Sequence, residues 1–359
     1  MIALTWRQFR TQAALAFGLL AAIAVALAVT GPALVHLYDT SVLPCQAQGD
    51  CSLVTSAFAG RDHLLQDLGT VLVVVPGLIG LFWGAPLAAR ELETGTYQLA
   101  WTQGITRKRW LAVKLGLVGL ASMAVAGLLS LMVTWWSSPL DRVNTDLFAQ
   151  FGQRGIVPLG YAAFAFALGV CAGLVLHRTV PAMAVTVAVF VGVRLAVTYW
   201  VRPYLFAPLH LIAGLRAPNG NGTGGGGLTP SRPGDWVLSD RVVNAAGRVI
   251  GQDGAINLGP GRLGFAFGPA GDGRVALQGA GTCPNRFPAL FGAGGGQGPS
   301  PAFARATQEC VTRLGLKDVL TYQPTYRYWP LQWYETGIFV GLALILAGFC
   351  FWWLRRRYA

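Results

Sequence analysis

The sequence predicts an all-α membrane bundle of six transmembrane helices, with a small mixed α/β, disulfide-containing extracytoplasmic domain between the fifth and sixth. Three observations predict it. The chain has 359 residues, 53% hydrophobic and only 12% charged, and its mean hydropathy is +0.49; an ordinary soluble domain carries about 25% charged residues. The apolar residues fall in runs of about 20 or more, the length that crosses a ~30 Å hydrocarbon core at ~1.5 Å per residue. One long stretch, 201–333, breaks that pattern and is rich in glycine. A soluble enzyme and a secreted disulfide scaffold are excluded.

The first run, 13–37, follows Arg7 and Arg10. A signal-peptide core is only about 7–15 residues long, so this longer run reads as an uncleaved span behind a short cytoplasmic segment. An outer loop, 38–68, leads to a second span at 69–89, where Pro76 and Pro86 predict kinks because each removes a backbone donor. A cytoplasmic loop, 90–110, precedes the third span, 111–136. The outer loop 137–155, a fourth span at 156–176 and a fifth at 179–200 follow. The glycine-rich domain 201–333 separates these from the sixth span, 334–354, and a cytoplasmic tail, 355–359. Trp135 and Trp136, Tyr199 and Trp200, Trp333 and Tyr334, and Trp352 and Trp353 stand at span ends, where amphipathic rings settle among headgroups.

Charge orients the bundle. On one side lie Arg7, Arg10, Arg90, Arg107, Lys108, Arg109, Lys114, Arg178 and Arg355 to Arg357; the short loops opposite hold Arg61, Arg142 and Arg154. The positive-inside rule places both termini in the cytoplasm of a multi-pass plasma-membrane protein. The net charge of +12 therefore records topology and a basic ectodomain, and no nucleic-acid partner is expected.

Cysteines are consistent with that topology. Cys45 and Cys51 fall in the first outer loop and Cys283 and Cys310 in the long outer domain, while Cys171 and Cys350 lie inside spans. Even numbers outside suit oxidised pairs in an extracytoplasmic compartment, so Cys45–Cys51 and Cys283–Cys310 disulfides are expected. A metal would want more ligands than His63 and His210, and none is expected. In the long domain, alternation over 235–250 and 262–277 predicts a few strands, 301–316 an amphipathic helix, and the glycine tracts connectors.

The chemistry of an enzyme is missing. There is no G-x-x-x-x-G-K-[ST] phosphate loop, no H-E-x-x-H and no G-x-S-x-G elbow. Glu335, at the outer start of the sixth span, is the one carboxylate placed where an ion-coupled carrier would need several. The informative segment is instead the loop after the second span. It carries an early carboxylate pair, Glu91 and Glu93, a break at Gly95, a short amphipathic stretch 96–103, and Thr106 placed to cap the next helix ahead of Arg107 and Arg109. Leu99 and Trp101 are apolar groups held out on that loop. They suit either a docking element for a partner or a helix lying on lipid headgroups.

The run from Glu91 to Thr96 followed by A-W-T-Q-G-I-T-R-K-R-W to Trp110 resembles the first cytoplasmic loop of permease subunits of ABC-2 type exporters. It is most similar to the actinobacterial permeases with a large ectodomain between the last two spans. Residues 322–337 and 347–357 are similar to that subfamily's final ectodomain segment and last span. The resemblance implies a non-catalytic half-transporter. Its partners are a separate ABC ATPase subunit, a second permease copy or paralogue, and membrane lipids. No cofactor is bound by this chain, and ATP with magnesium belongs to the ATPase. By position, Glu91–Thr96 corresponds to the family's elbow and 97–106 to its coupling helix. The implied docking set is Arg90, Glu91, Glu93, Thr94, Gly95, Thr96, Leu99, Trp101, Gln103, Thr106, Arg107 and Arg109. Arg7 and Arg10 are candidates to pair with Glu91 or Glu93.

Two charges mark a candidate substrate path, Arg194 inside the fifth span and Glu335: Arg194 suits either snorkelling or pairing with Glu335, or lining a cavity for an anionic or amphipathic substrate. An apolar, aromatic-lined path suits amphipathic or hydrophobic cargo. The reading from a different class is a membrane sensor or assembly protein whose ectodomain binds an external ligand or partner. Gly80-x-x-x-Gly84, Gly169-x-x-x-Gly173 and Gly337-x-x-x-Gly341 are small-residue ridges that serve helix packing within one subunit or between two.

Overall fold

The structure, a computed structural model, describes residues 2–46, 54, 63–95, 106–143, 147–214, 234–252, 255–256, 276–277, 281–282, 305, 308–309, 312–313 and 315–357. The chain divides into two units, Met1–Leu205 with Arg327–Ala359, and Phe206–Tyr326.

The first unit is helical. Its elements are α1 (Ile2–Leu37), α2 (Leu43–Gln46), α3 (His63–Ile79), α4 (Ala85–Glu93), α5 (Arg107–Asp141), α6 (Val157–Leu176), α7 (Thr179–Ala196) and α8 (Tyr328–Arg357). A π-turn, Gly80–Gly84, fuses α3 to α4, and another, Val197–Val201, extends α7 into Arg202–Tyr204. Six stretches are long and apolar enough to cross a membrane: Phe9–Cys45, Gly69–Glu93, Arg107–Asp141, Val157–Leu176, Thr179–Tyr204 and Thr325–Arg356.

α6 is the hub, touching α3, α4, α5, α7 and α8. It is apolar on every side, and nearly all its residues are buried against the other helices. Its approach to the second span is a backbone contact made possible by glycine. A Cβ on Gly169 would strike the carbonyl of Gly80; one on Gly173 would lie 2.6 Å from the Ala85 carbonyl, and one on Gly84 2.7 Å from the Phe166 carbonyl. Two of the three glycine ridges therefore interlock within one chain. The third does not: Gly337 and Gly341 have nothing within 4 Å of such a Cβ.

α1 packs chiefly along α5. Its buried residues Ala13, Leu20, Leu27 and Leu34 recur every seven positions, and so do Leu111, Val118 and Val125 on α5. That spacing keeps one seam facing its partner, as in a coiled coil. Trp136 Nε1 donates to Thr30 Oγ1 at 3.0 Å and ties the seam near its end. On the other face of α1, Leu15, Leu19, Val25 and Val29 are exposed.

The loop before α6 is anchored rather than solvated. Phe148 and Phe151 are buried and meet Tyr328 edge to face. Arg154 is clamped by Asp141 at 2.6 Å and Ser137 at 2.7 Å. Gln332, fully buried on α8, accepts from the N–H groups of Ile156 and Val157 at 3.1 and 3.2 Å and so satisfies the start of α6. Its Nε2 donates to the Phe151 carbonyl at 2.9 Å. Gly155, at φ +75°, sits where a side chain would collide with Gln332.

The second unit holds strands β1 (Leu209–Gly214), β2 (Trp236–Val243), β3 (Val249–Gln252), β4 (Ala255–Ile256), β5 (Ala276–Leu277), β6 (Gly281–Thr282) and β7 (Lys317–Gln323). An antiparallel sheet runs in the order β1-β7-β2-β3-β4, and β5 pairs with β6. Most of 262–277 and 301–316 lies outside the described residues, as do Cys51, Cys283 and Cys310, so both expected disulfides fall there too. Within the sheet, Asp240 and Asp318 are buried diagonal neighbours, since Asp240 pairs with Leu320 and Asp318 with Val242. Burial and the adjoining Asp240 carboxyl push the Asp318 carboxyl up to about 7, because two carboxylates this close cannot both ionise without cost.

Candidate functional site

Two arrangements carry candidate function, one at each end of α6. The first is the end of α4. Thr94 closes the helix by donating to the Arg90 carbonyl at 2.8 Å, and Gly95 at φ +73° turns the chain away from it. A left-handed φ suits glycine best, because it has no Cβ to clash. Arg90 is exposed.

Glu91 turns inward. Its carboxylate takes Lys114 Nζ at 2.6 Å and accepts from Trp110 Nε1 at 3.2 Å, both on α5. Lys114 also donates to the Leu87 carbonyl at 3.3 Å and lies 4.6 Å from the Trp110 ring. Sequence reasoning placed Lys114 among the loop charges; it is 3% exposed and belongs to the packing. Glu93 reaches α7 instead: its Oε2 accepts from Thr179 Oγ1 at 2.7 Å and from the Thr179 N–H at 3.2 Å. It thereby satisfies a free donor in the first turn of α7. The two carboxylates staple one short helix to two spans. Arg7 and Arg10, the candidate partners, are both exposed.

Thr106 caps α5, accepting from the Arg109 N–H at 3.4 Å. Arg107 and Arg109 are exposed in the first turn. Thr96, Leu99, Trp101 and Gln103 lie outside the described residues. Two adjoining clefts of about 430 and 780 Å³ run beside α4, sharing Gln12, Trp83, Pro86, Arg90 and Thr94.

The second arrangement is a polar cluster at the start of α6. Glu335 is fully buried and paired with Arg202, at 2.7 Å to Nε and 2.8 Å to Nη2. Tyr161 donates to the same carboxylate at 2.5 Å, and Arg202 lies 4.4 Å from the Phe151 ring. Helices α6, α7 and α8 meet there. The candidate Arg194–Glu335 pair is replaced by Arg202–Glu335, because Arg202 lies eight residues further along the extension of α7, beside Glu335 on α8. Arg194 stays half-buried, donating from Nη1 to the Val73 carbonyl at 2.5 Å, with its guanidinium 4.4 Å from the Tyr161 ring.

Arg194 and Arg202 both line a cavity of about 490 Å³ between α3, α7 and the 148–153 loop. Its other walls are mostly apolar, among them Val74, Leu78, Phe190 and Leu195. Tyr161, Arg202, Gln332, Trp110 and Lys114 were not singled out as functional from sequence. The only signal for Gln332 and Arg202 was polarity beside a predicted span end, which solvated residues share.

With that geometry in place, a family model described as ABC-2 membrane transporter related matches residues 17–202, just over half the chain. No curated protein and no solved structure matches the chain.

Proposed function

The chain belongs to the ABC-2 membrane transporter related family, and from that premise we propose that it is the permease subunit of an ATP-driven exporter. It contributes the translocation path for an amphipathic or hydrophobic substrate. A separate ABC ATPase subunit hydrolyses ATP, and a second permease, identical or paralogous, completes the transporter in the cell membrane. Both termini face the cytoplasm. The Cys45–Cys51 and Cys283–Cys310 disulfides belong to the same proposal, on the outer side.

The observation that carries the reading, beyond the family itself, is the double staple at the end of α4. The segment after it, 96–105, is the proposed docking element, with Leu99 and Trp101 buried in the ATPase. A push on that segment reaches α4 directly. Glu91 passes it to α5 through Lys114 and Trp110, and Glu93 passes it to α7 through Thr179. α7 in turn carries Arg194 and one wall of the cavity. Hydrogen-bonded contacts between rigid helices are the kind of connection that relays such a movement.

The test is a pull-down of the tagged chain from native membranes in mild detergent, assayed for ATPase activity. Wild type brings down an ATP-hydrolysing subunit. Trp101→Asp loses the subunit, whereas Glu93→Ala retains it but loses the stimulation of hydrolysis by the permease. A chain that comes down alone, or with a partner that is no ATPase, refutes the reading and favours a sensor or assembly role for the ectodomain.

A further inference from the structure

The cavity between α3 and α7 has a charge imbalance. Two guanidiniums, Arg194 and Arg202, line it, and the neighbouring carboxylate, Glu335, is committed to Arg202 through two hydrogen bonds and to the Tyr161 hydroxyl. Among the described residues no carboxylate lies within ion-pair distance of Arg194. Its hydrogen-bond acceptors are neutral, the Val73 carbonyl and the Tyr161 hydroxyl. One positive charge is therefore left over, inside a stretch long and apolar enough to cross a membrane. An unpaired charge there is costly, and an anion brought to it offsets part of that cost.

The walls say what kind of anion. Val74, Leu78, Phe190, Val191 and Leu195 present hydrocarbon. Leu78, Val191, Leu195 and the flanking Tyr199 are exposed at the rim, so the cavity opens on the face of the bundle that hydrocarbon chains would meet. A small hydrated anion gains nothing from such walls. A chain with a charged head gains from both the walls and the guanidinium.

We propose that this cavity binds an anionic amphiphile, its head on the free side of the Arg194 guanidinium and its chain along the Val74, Leu78 and Leu195 walls. As cargo it would deepen the permease reading, on which its transport role rests; the binding itself does not need that reading. Arg202 keeps Glu335 neutralised and so leaves Arg194 as the selecting charge.

The experiment uses the purified full chain in neutral detergent at pH 8 and two fluorescent probes, dansyl-undecanoate and its methyl ester. Wild type binds the carboxylate about tenfold tighter than the ester, the ratio expected when one charge-assisted contact distinguishes them. Arg194→Gln brings the carboxylate down to the level of the ester, while the ester still binds. Arg194→Lys keeps a preference for the carboxylate, and Leu78→Trp, which fills the cavity, weakens both probes together. Equal affinity of wild type for the two probes overturns the proposal. So does a preference that survives Arg194→Gln, or displacement of the carboxylate by millimolar inorganic phosphate beyond a matched sodium chloride control, which would mark a site for free anions. No ATPase is present in this measurement. Its failure leaves the permease reading standing, and a failed ATPase pull-down leaves a measured carboxylate preference standing.

Discussion

Glu335 and the Glu91–Glu93 pair do the same mechanical work near opposite ends of α6, under opposite conditions. Each joins helices through carboxylate contacts. Glu335 is wholly enclosed and finds a full set of partners, two from Arg202 and one from Tyr161. Glu93 sits in the open against Thr179, and Glu91 lies between the two extremes, 17% exposed and paired with the buried Lys114. A charge taken out of water has to be completely satisfied where it is, whereas a carboxylate at a helix terminus can exchange protein donors for water at little cost. One end of the bundle is therefore locked. At the other, Glu93 can exchange its Thr179 contact for water, while Glu91 holds the buried Lys114.

The largest effect should come from the enclosed end. Glu335→Ala leaves Arg202 buried without its counter-charge, and breaking a buried pair costs about 3–5 kcal/mol. The expected result is a collapse of thermal stability in detergent, with Glu335→Leu combined with Arg202→Met recovering most of it. If Glu335→Ala melts like wild type, the contrast between the two ends is wrong.

Next comes Glu91→Ala, which strands Lys114 between α4 and α5. Losing a hydrogen bond to a charged group costs about 1.5–3 kcal/mol, so the melting temperature should fall, though less than for Glu335→Ala. Lys114→Met in the same chain should restore it. A double variant no more stable than Glu91→Ala would show that Glu91 acts through other contacts.

The smallest effect sharpens the comparison from the other unit, where a buried carboxyl has no cation beside it among the described residues. Asp318 answers its burial beside Asp240 by holding its proton up to about pH 7. Its pKa is raised on folding, so the folded form binds more protons than the unfolded one between about pH 4 and 7. The contribution to stability is full at low pH and is lost as pH rises through about 7. Resistance of the 206–326 unit to limited proteolysis in the full chain should fall between pH 5.5 and pH 8, and Asp318→Asn should flatten that dependence. A wild-type profile already flat over this range would rule out a proton held on Asp318 at neutral pH.

The six apolar stretches and the turn at Gly95 were legible in the sequence because each depends on local facts. A hydrocarbon core demands about 20 apolar residues whatever their neighbours, and a left-handed turn asks for glycine. Partner choice was not legible. Arg194 and Arg202 lie on one helix, eight residues apart, and nothing local says which of them meets Glu335, 133 residues further on from Arg202. Lys114 looked like one more loop charge until Glu91 on α4 and Trp110 on its own helix closed around it. Two glycine ridges were assigned to each other only by the approach of α6 to the second span, and the third was left open. Length, hydropathy and turn chemistry are properties of a segment. Neutralising one arginine and leaving another to face a cavity depends on how α3, α6, α7 and α8 meet in space, which only the tertiary structure decides.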